Sequence, residues 1–256
     1  MQRDVLLSTL LGLAGLAAWE ATVRMGHTSP LVLPAPSVVA QSLWQGLNSG
    51  YFWPHIVHTL TEVVLGLLLG ASMGFVGGVV LGESARLRGV LMPYVVISQV
   101  VPKLALAPLF IVWFGFGTLP TVVMTALICF FPLLENTVTC MQQVDAHKLE
   151  LFRMLRASRL QTLWRLKLPA GLPHLMAGLR VAVVLAWVGA VVGEFIGASR
   201  GLGALIIAAQ GSMDTPLMFA VLTVITVLGL AFYKVSQWLE RRLLDVSSDF
   251  STRTPS

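Results

Sequence analysis

Glu62, Lys103, Glu135 and Glu194 are ionisable residues close to or inside long apolar runs. A charge held at membrane depth is costly and marks an ion relay, a solute passage or a pairing partner. A proton relay wants several carboxylates or histidines at one depth. Glu62 stands near the start of its run and Glu135 near the inner end of another, after Pro132, so only Glu194, beside Gly193, lies deep. One carboxylate is not a relay. Lys103 falls in VVPKLALAPLFIVWFGFG, where Pro102 and Pro108 each free backbone carbonyls. Broken backbone and charge are tolerated at that depth only where buried in protein or facing a watery cavity. Pro102, Lys103, Pro108 and Glu194 are therefore the candidates for a translocation path. A second reading fits Lys103 as well, with its stem snorkelling to an interface while the prolines kink a packed helix. Pairing of Lys103 with Glu194 would neutralise both.

Other chemistry is thinly represented. His55 and His58 have the spacing of helical metal ligands, but no carboxylate or thiolate stands at a supporting distance, so they read as interfacial polar residues and no metal is expected. Cys129 and Cys140 are about 16 Å apart along a helix at ~1.5 Å per residue, too far for a disulfide, and read as small buried apolar residues. There is no P-loop, HExxH or GxSxG signature, so the chain carries no catalytic site and no cofactor of its own. The net charge of +5 lies at the ends of apolar runs rather than in a stripe interleaved with aromatics, which argues against nucleic acid.

The elements that must position these residues are membrane helices. Of 256 residues, 56% are hydrophobic and only 11% charged. Spans of roughly 20 apolar residues are expected near 5–23, 60–82, 90–114, 119–141, 175–198 and 215–237. This predicts an all-α membrane protein with six transmembrane helices in a single domain over 1–256. Residues 1–23 have the look of a signal peptide, but Asp4 interrupts the positive region and removal would leave an odd number of spans, so a retained first span is expected. Pro30, Pro34 and Pro36 break the connector that follows, and Ser37 is a candidate N-cap for a short interfacial helix carrying Trp44 and Leu47. Gly66, Gly70, Gly74, Gly78 and Gly82 recur every fourth position, as do Gly189, Gly193, Gly197 and Gly201. Such stripes let helices approach closely where lipid supplies no hydrophobic drive between them. The last span is followed by a polar tail expected to be disordered.

The stretch Glu150 to Pro169, within an expected loop over 142–174, holds Arg153, Arg156, Arg159, Arg165 and Lys167. A centred Arg or Lys costs about 2.5–3.5 kcal/mol in hydrocarbon, so this segment faces water. Arg3, Arg86, Arg88, Lys234, Arg241 and Arg242 lie on the same side, against Arg24 and Arg200 on the other. The positive-inside rule then puts the loop and both termini in the cytoplasm. Leu151, Met154, Leu155, Leu160 and Leu163 recur at three- and four-residue steps, giving a short helix or helix pair an apolar face suited to a partner.

This loop resembles the EAA motif of permease subunits of ABC-type importers, with Glu150, Leu155, Ala157, Ser158, Gln161, Leu168 and Pro169 in the motif's frame. Leu151 and Phe152 stand where two alanines are usual, and Arg156 replaces a glycine that allows a tight turn, which predicts a straighter or differently angled element. LPAPSVV, the VPKLALAPLFIVWFGFG run, FFPLLENTV and the segment from Leu168 to Ile206 are similar to the nitrate, sulfonate, taurine and pyrimidine-precursor branch of these permeases. Glu62 departs from it, because that branch usually has arginine there. The resemblance implies a type I ABC importer permease fold in the bacterial inner membrane. It also implies a homodimer, a cytoplasmic ABC ATPase dimer that binds ATP and Mg, and a periplasmic solute-binding protein. The rivals are an ion-coupled secondary transporter, which would show broken helices in matching halves, and a membrane-embedded enzyme, which would show an acid or histidine cluster at one depth. Only the third run reads as interrupted by proline.

Overall fold

The computed structural model describes residues 2–26, 29 and 31–251, and among these there is no strand. Pro30 and the side chain of Arg3 lie outside the described residues. Five helical stretches are long and apolar enough to cross a membrane: Leu6–Met25, Trp53–Glu83, Thr118–Gln142, Arg159–Gly197 and Thr215–Arg242. The expected span over 90–114 is a broken pair, α4 (Ala85–Val100) and a second segment, Lys103–Phe114, bent by 81°. Pro102 accounts for the break, because the residue before a proline is pushed out of the helical region. Val101 is accordingly extended (φ −64°, ψ 121°). A 3-10 turn, Lys103–Leu106, then leads into α5 (Ala107–Phe114). Pro108 lies in the first turn of α5, where its missing N–H would have no partner anyway, so it starts a helix rather than breaking one. Pro93, Pro132 and Pro173 lie inside α4, α6 (Thr118–Gln142) and α9 (Leu168–Gly197), so proline is not confined to the third run.

The chain forms two compact units. One comprises Met1–Thr59 with Arg200–Val227. In it Glu20, near the end of α1 (Gln2–Met25), caps α2 (Pro36–Asn48): its carboxylate accepts from the Ser37 N–H (3.0 Å), the Ser37 hydroxyl (2.8 Å) and Arg24 Nε (2.5 Å). Ser37 is thus not the N-cap; Ala35 occupies that position and Pro36 sets the first helical φ. Helix α3 (Trp53–Glu83) begins here. Its Thr59 hydroxyl accepts from the Leu202 N–H at 2.8 Å, and His55 Nδ1 meets the Gly201 N–H at 3.2 Å, capping α10 (Leu202–Gly211). His55 thus also contacts the backbone at Gly201, with its Nδ1 2.9 Å from the Gly201 carbonyl. Gly201 opens α10 with φ 124° and does not continue the stripe on α9.

The other unit comprises Leu60–Ser199 with Leu228–Ser256 and is built around α6. A Cβ at Gly66 would overlap Thr125, at Gly70 the Ala126 carbonyl, at Gly74 the Phe130 carbonyl, at Gly78 Thr137 and at Gly82 Met141. Every one of these obstacles belongs to α6, so α3 lies backbone-close along it. From the second stripe, Gly189 faces Ile128 and Thr125 and Gly193 faces Met124 and Thr121, also on α6, while Gly197 meets Ile111 of α5. Cys129 and Cys140 are buried free thiols on α6. Helix α11 (Thr215–Ser251) contributes its later turns, where Gly229 lies against Trp187 and Glu240 pairs with Arg180. It stays helical through Ser251, where the sequence suggests a disordered tail.

Candidate functional site

The loop between α6 and α9 is a pair of short helices set by local hydrogen-bond chemistry. Asp145 caps α7 (Ala146–Met154) by accepting from the His147 N–H at 2.9 Å. The helix closes with the Ala157 N–H on the Phe152 carbonyl (3.0 Å) and the Arg156 N–H on the Arg153 carbonyl (3.0 Å). These two bonds define a Schellman closure, which needs a left-handed residue between them. Arg156 supplies it with φ 51°. The turn expected to open when glycine is replaced is therefore still made, with arginine held in a conformation that suits glycine better.

Ser158 begins α8 (Arg159–Thr162) with a reciprocal capping box. Its hydroxyl accepts from the Gln161 N–H (3.2 Å), and the Gln161 side chain accepts from the Ser158 N–H (2.8 Å). Both residues belong to the motif frame, and the box gives their spacing a physical reason. A π-helical stretch, Leu163–Lys167, buries Leu166 and passes into α9, whose first turn accommodates Pro169. Lys167 Nζ reaches Glu83 Oε1 at 2.5 Å, tying the loop to the end of α3.

The outer face of the pair is apolar: Leu151, Met154, Leu155, Leu160 and Trp164 are each between 54% and 80% exposed. Glu150 lies exposed on α7, and no hydrogen bond or ion pair holds it among the described residues. Arg153, Arg159 and Arg165 are interspersed with these apolar residues in the sequence, a basic composition that argues against a lipid-facing surface.

At the break in the third span, Val101, Pro102, Leu104 and Ala105 are exposed and Lys103 is half-buried, its ammonium donating to Gln99 Oε1 at 2.8 Å. Glu194 does not meet Lys103. It is 1% exposed and lies near Glu62 of α3, which is 0% exposed, with Thr121 of α6 beside them. The break approaches the Glu194 end of α9 through α5, where Ala107 and Ile111 share a small crevice with Thr121, Gly193 and Gly197. Glu62 has the same apolar neighbours in sequence as any other span-start carboxylate, so its partner could not be read from the sequence. Glu83 and Glu20 were equally silent, their partners lying 84 and 17 residues away.

Helices gathered around a central span, one span broken by 81° and a capped helix pair with an apolar outer face are the parts of a membrane permease that works through separate subunits. The chain belongs to the family of binding-protein-dependent transport system inner membrane components, whose family model matches residues 55–245. It is a multi-pass inner-membrane protein and a non-catalytic ABC permease subunit. It is 38% identical to the riboflavin transport system permease protein of Chloroflexus aurantiacus, over 90% of this chain and 85% of that one. It is 31% identical to the taurine transport system permease protein of Escherichia coli, over 95% and 90%. A structure of the MetNI methionine ABC transporter in inward-facing conformations shares the fold, with a TM-score of 0.66 at 18% identity over 76% of this chain and 98% of that one.

Proposed function

We propose that this permease moves a small anionic or heteroaromatic solute, of the sulfonate, nitrate, taurine or pyrimidine-like kind, into the cytoplasm as a homodimer. Its partners are a cytoplasmic ABC ATPase dimer, which binds ATP and Mg, and a periplasmic solute-binding protein. The exposed face of Leu151, Met154, Leu155, Leu160 and Trp164 carries this reading, because burying it demands a protein partner on the water side of the loop. Glu150, Leu151, Phe152, Leu155, Arg156, Ala157, Ser158, Gln161, Leu168 and Pro169 form the coupling element. The Schellman closure and the capping box make it rigid enough to pass on the closure of the ATPases. Solute passes at the break, by Pro102, Lys103 and Pro108, next to the last turns of α9 that carry Glu194. The solute class is supported by the names of relatives, which include sulfonate, taurine and formylaminopyrimidine permeases at 34%, 31% and 34% identity.

Reconstitution tests the reading directly. The permease in liposomes with its ATPase and binding protein should take up the binding protein's ligand only when ATP is present. Glu150→Lys and Ala157→Glu should each abolish uptake while the protein still inserts and copurifies as a folded species, since both place a wrong charge on the docking face. Uptake by the permease alone, down an ion gradient and without ATPase, would show instead a secondary transporter.

A further inference from the structure

The later turns of α11 carry their charge on two different sides. At about 100° per residue, Lys234, Trp238, Arg241 and Arg242 fall within one arc roughly 100° wide, and all four are exposed. Glu240 falls on the opposite side, half-buried, where it pairs with Arg180 of α9. Tyr233 and Gln237 are half-buried on that side too, bonded to each other at 3.0 Å. These contacts fix which way the helix is turned. Its outward face therefore holds three cations and no acid between Leu230 and Arg242, with the Arg242 guanidinium 5.4 Å from the centre of the Trp238 ring.

The depth of this face says what covers it. From Thr215 to Lys234 α11 rises about 29 Å at ~1.5 Å per residue, close to the ~30 Å of a hydrocarbon core. Leu230, one turn before Lys234 on the same face, is 52% exposed, so the face passes from apolar to basic where the hydrocarbon ends. An indole at that boundary with cations just beyond it is suited to phospholipid headgroups. We propose that Lys234, Trp238, Arg241 and Arg242 form a site for anionic phospholipid, with the cations on the headgroup phosphate and the indole at the top of the acyl chains. An acidic protein surface matches the charge but not the exposed Leu230 and Val235 beside it. Lipid bound there holds α11 at one depth, while the Glu240 pair holds it to α9.

Quenching by brominated lipid tests this on the full-length protein, reconstituted in vesicles that mix phosphatidylcholine with phosphatidylglycerol. Fluorescence of Trp238 should be quenched more strongly when the phosphatidylglycerol carries the bromine than when an equal fraction of phosphatidylcholine does. Subtracting the same measurement on Trp238→Phe removes the other six tryptophans. The preference should weaken as salt is raised, and it should be lost in the triple variant Lys234→Gln, Arg241→Gln, Arg242→Gln. Equal quenching by the two lipids in the parent, or a preference that survives all three substitutions, overturns the proposal. So does a Trp238 signal that ignores lipid charge and responds instead to added ATPase, which would assign the face to an acidic protein surface. The parent's preference and its salt dependence decide even if the triple variant fails to insert, and neither depends on the solute or on uptake.

Discussion

Arg156 adopts a left-handed backbone that its residue type disfavours. Left-handed backbone costs a non-glycine residue roughly 1–2 kcal/mol, yet two hydrogen bonds on either side of Arg156 hold it there. Arg156→Gly should keep the turn and change the stability of the α7–α8 hairpin by less than about 1 kcal/mol, because the relief of strain is offset by the greater freedom of glycine in the unfolded chain. Arg156→Val, with a branched Cβ in the same conformation, should lose protection against hydrogen exchange in residues 152–162, as read by mass spectrometry. The neighbouring Ser158 and Gln161 show which residue-scale features the sequence makes visible. Their bonds close within three residues, so the spacing itself carries the structure. Ser37 misled for the opposite reason: Pro36 displaced it from the cap, and the group that satisfies its N–H is Glu20, 17 residues earlier on another helix.

Among the elements, α6 determines what its neighbours are allowed to be. Each glycine of the α3 stripe meets an α6 atom that a methyl group would strike, and at Gly70 and Gly74 the obstacle is a backbone carbonyl that no rotamer change can move aside. Gly70→Ala should therefore push the helices apart and destabilise by about 1–3 kcal/mol, the usual cost of overpacking. Gly12→Ala and Gly15→Ala on α1 should be neutral, since nothing lies within 4 Å of either position. Thermal melting of the purified protein compares the three directly. The stripes themselves are legible because a four-residue period in glycine has few other uses in a membrane helix. Their limit is not. Gly201 fits the period but lies past the end of α9, where its φ of 124° serves the entry to α10. The break in the third span was partly legible in the same way. Pro102 announced it, but Pro108 looked like a second interruption until the turn over Lys103–Leu106 placed it at a helix start.

At the scale of the whole molecule, the loop is attached to more than the two helices it connects. Through Lys167 and Glu83 it also holds the end of α3, so a force on the loop reaches α3, α6 and α9 together. The pair is partly exposed and stabilises by no more than about 1 kcal/mol, so breaking it should leave the fold intact. Glu83→Lys and Lys167→Glu should each lower the solute moved per ATP hydrolysed in reconstituted vesicles, and the double exchange should restore it with little change in melting temperature. Membrane class, number of spans and the position of the loop follow from composition and charge, because lipid punishes every exception. Contacts among spans do not follow, because two buried glutamates can lie 132 residues apart in sequence and still come near each other. One feature of the loop also turns the protein into its own reporter. Trp164 stands 60% exposed on the outer face. An indole that passes from water into a protein groove changes the colour of its fluorescence, so titrating the detergent-solubilised permease with its ATPase should shift emission to the blue. Subtracting the same titration of Trp164→Phe isolates that signal from the other six tryptophans, so engagement of the loop can be followed in real time without attaching a dye.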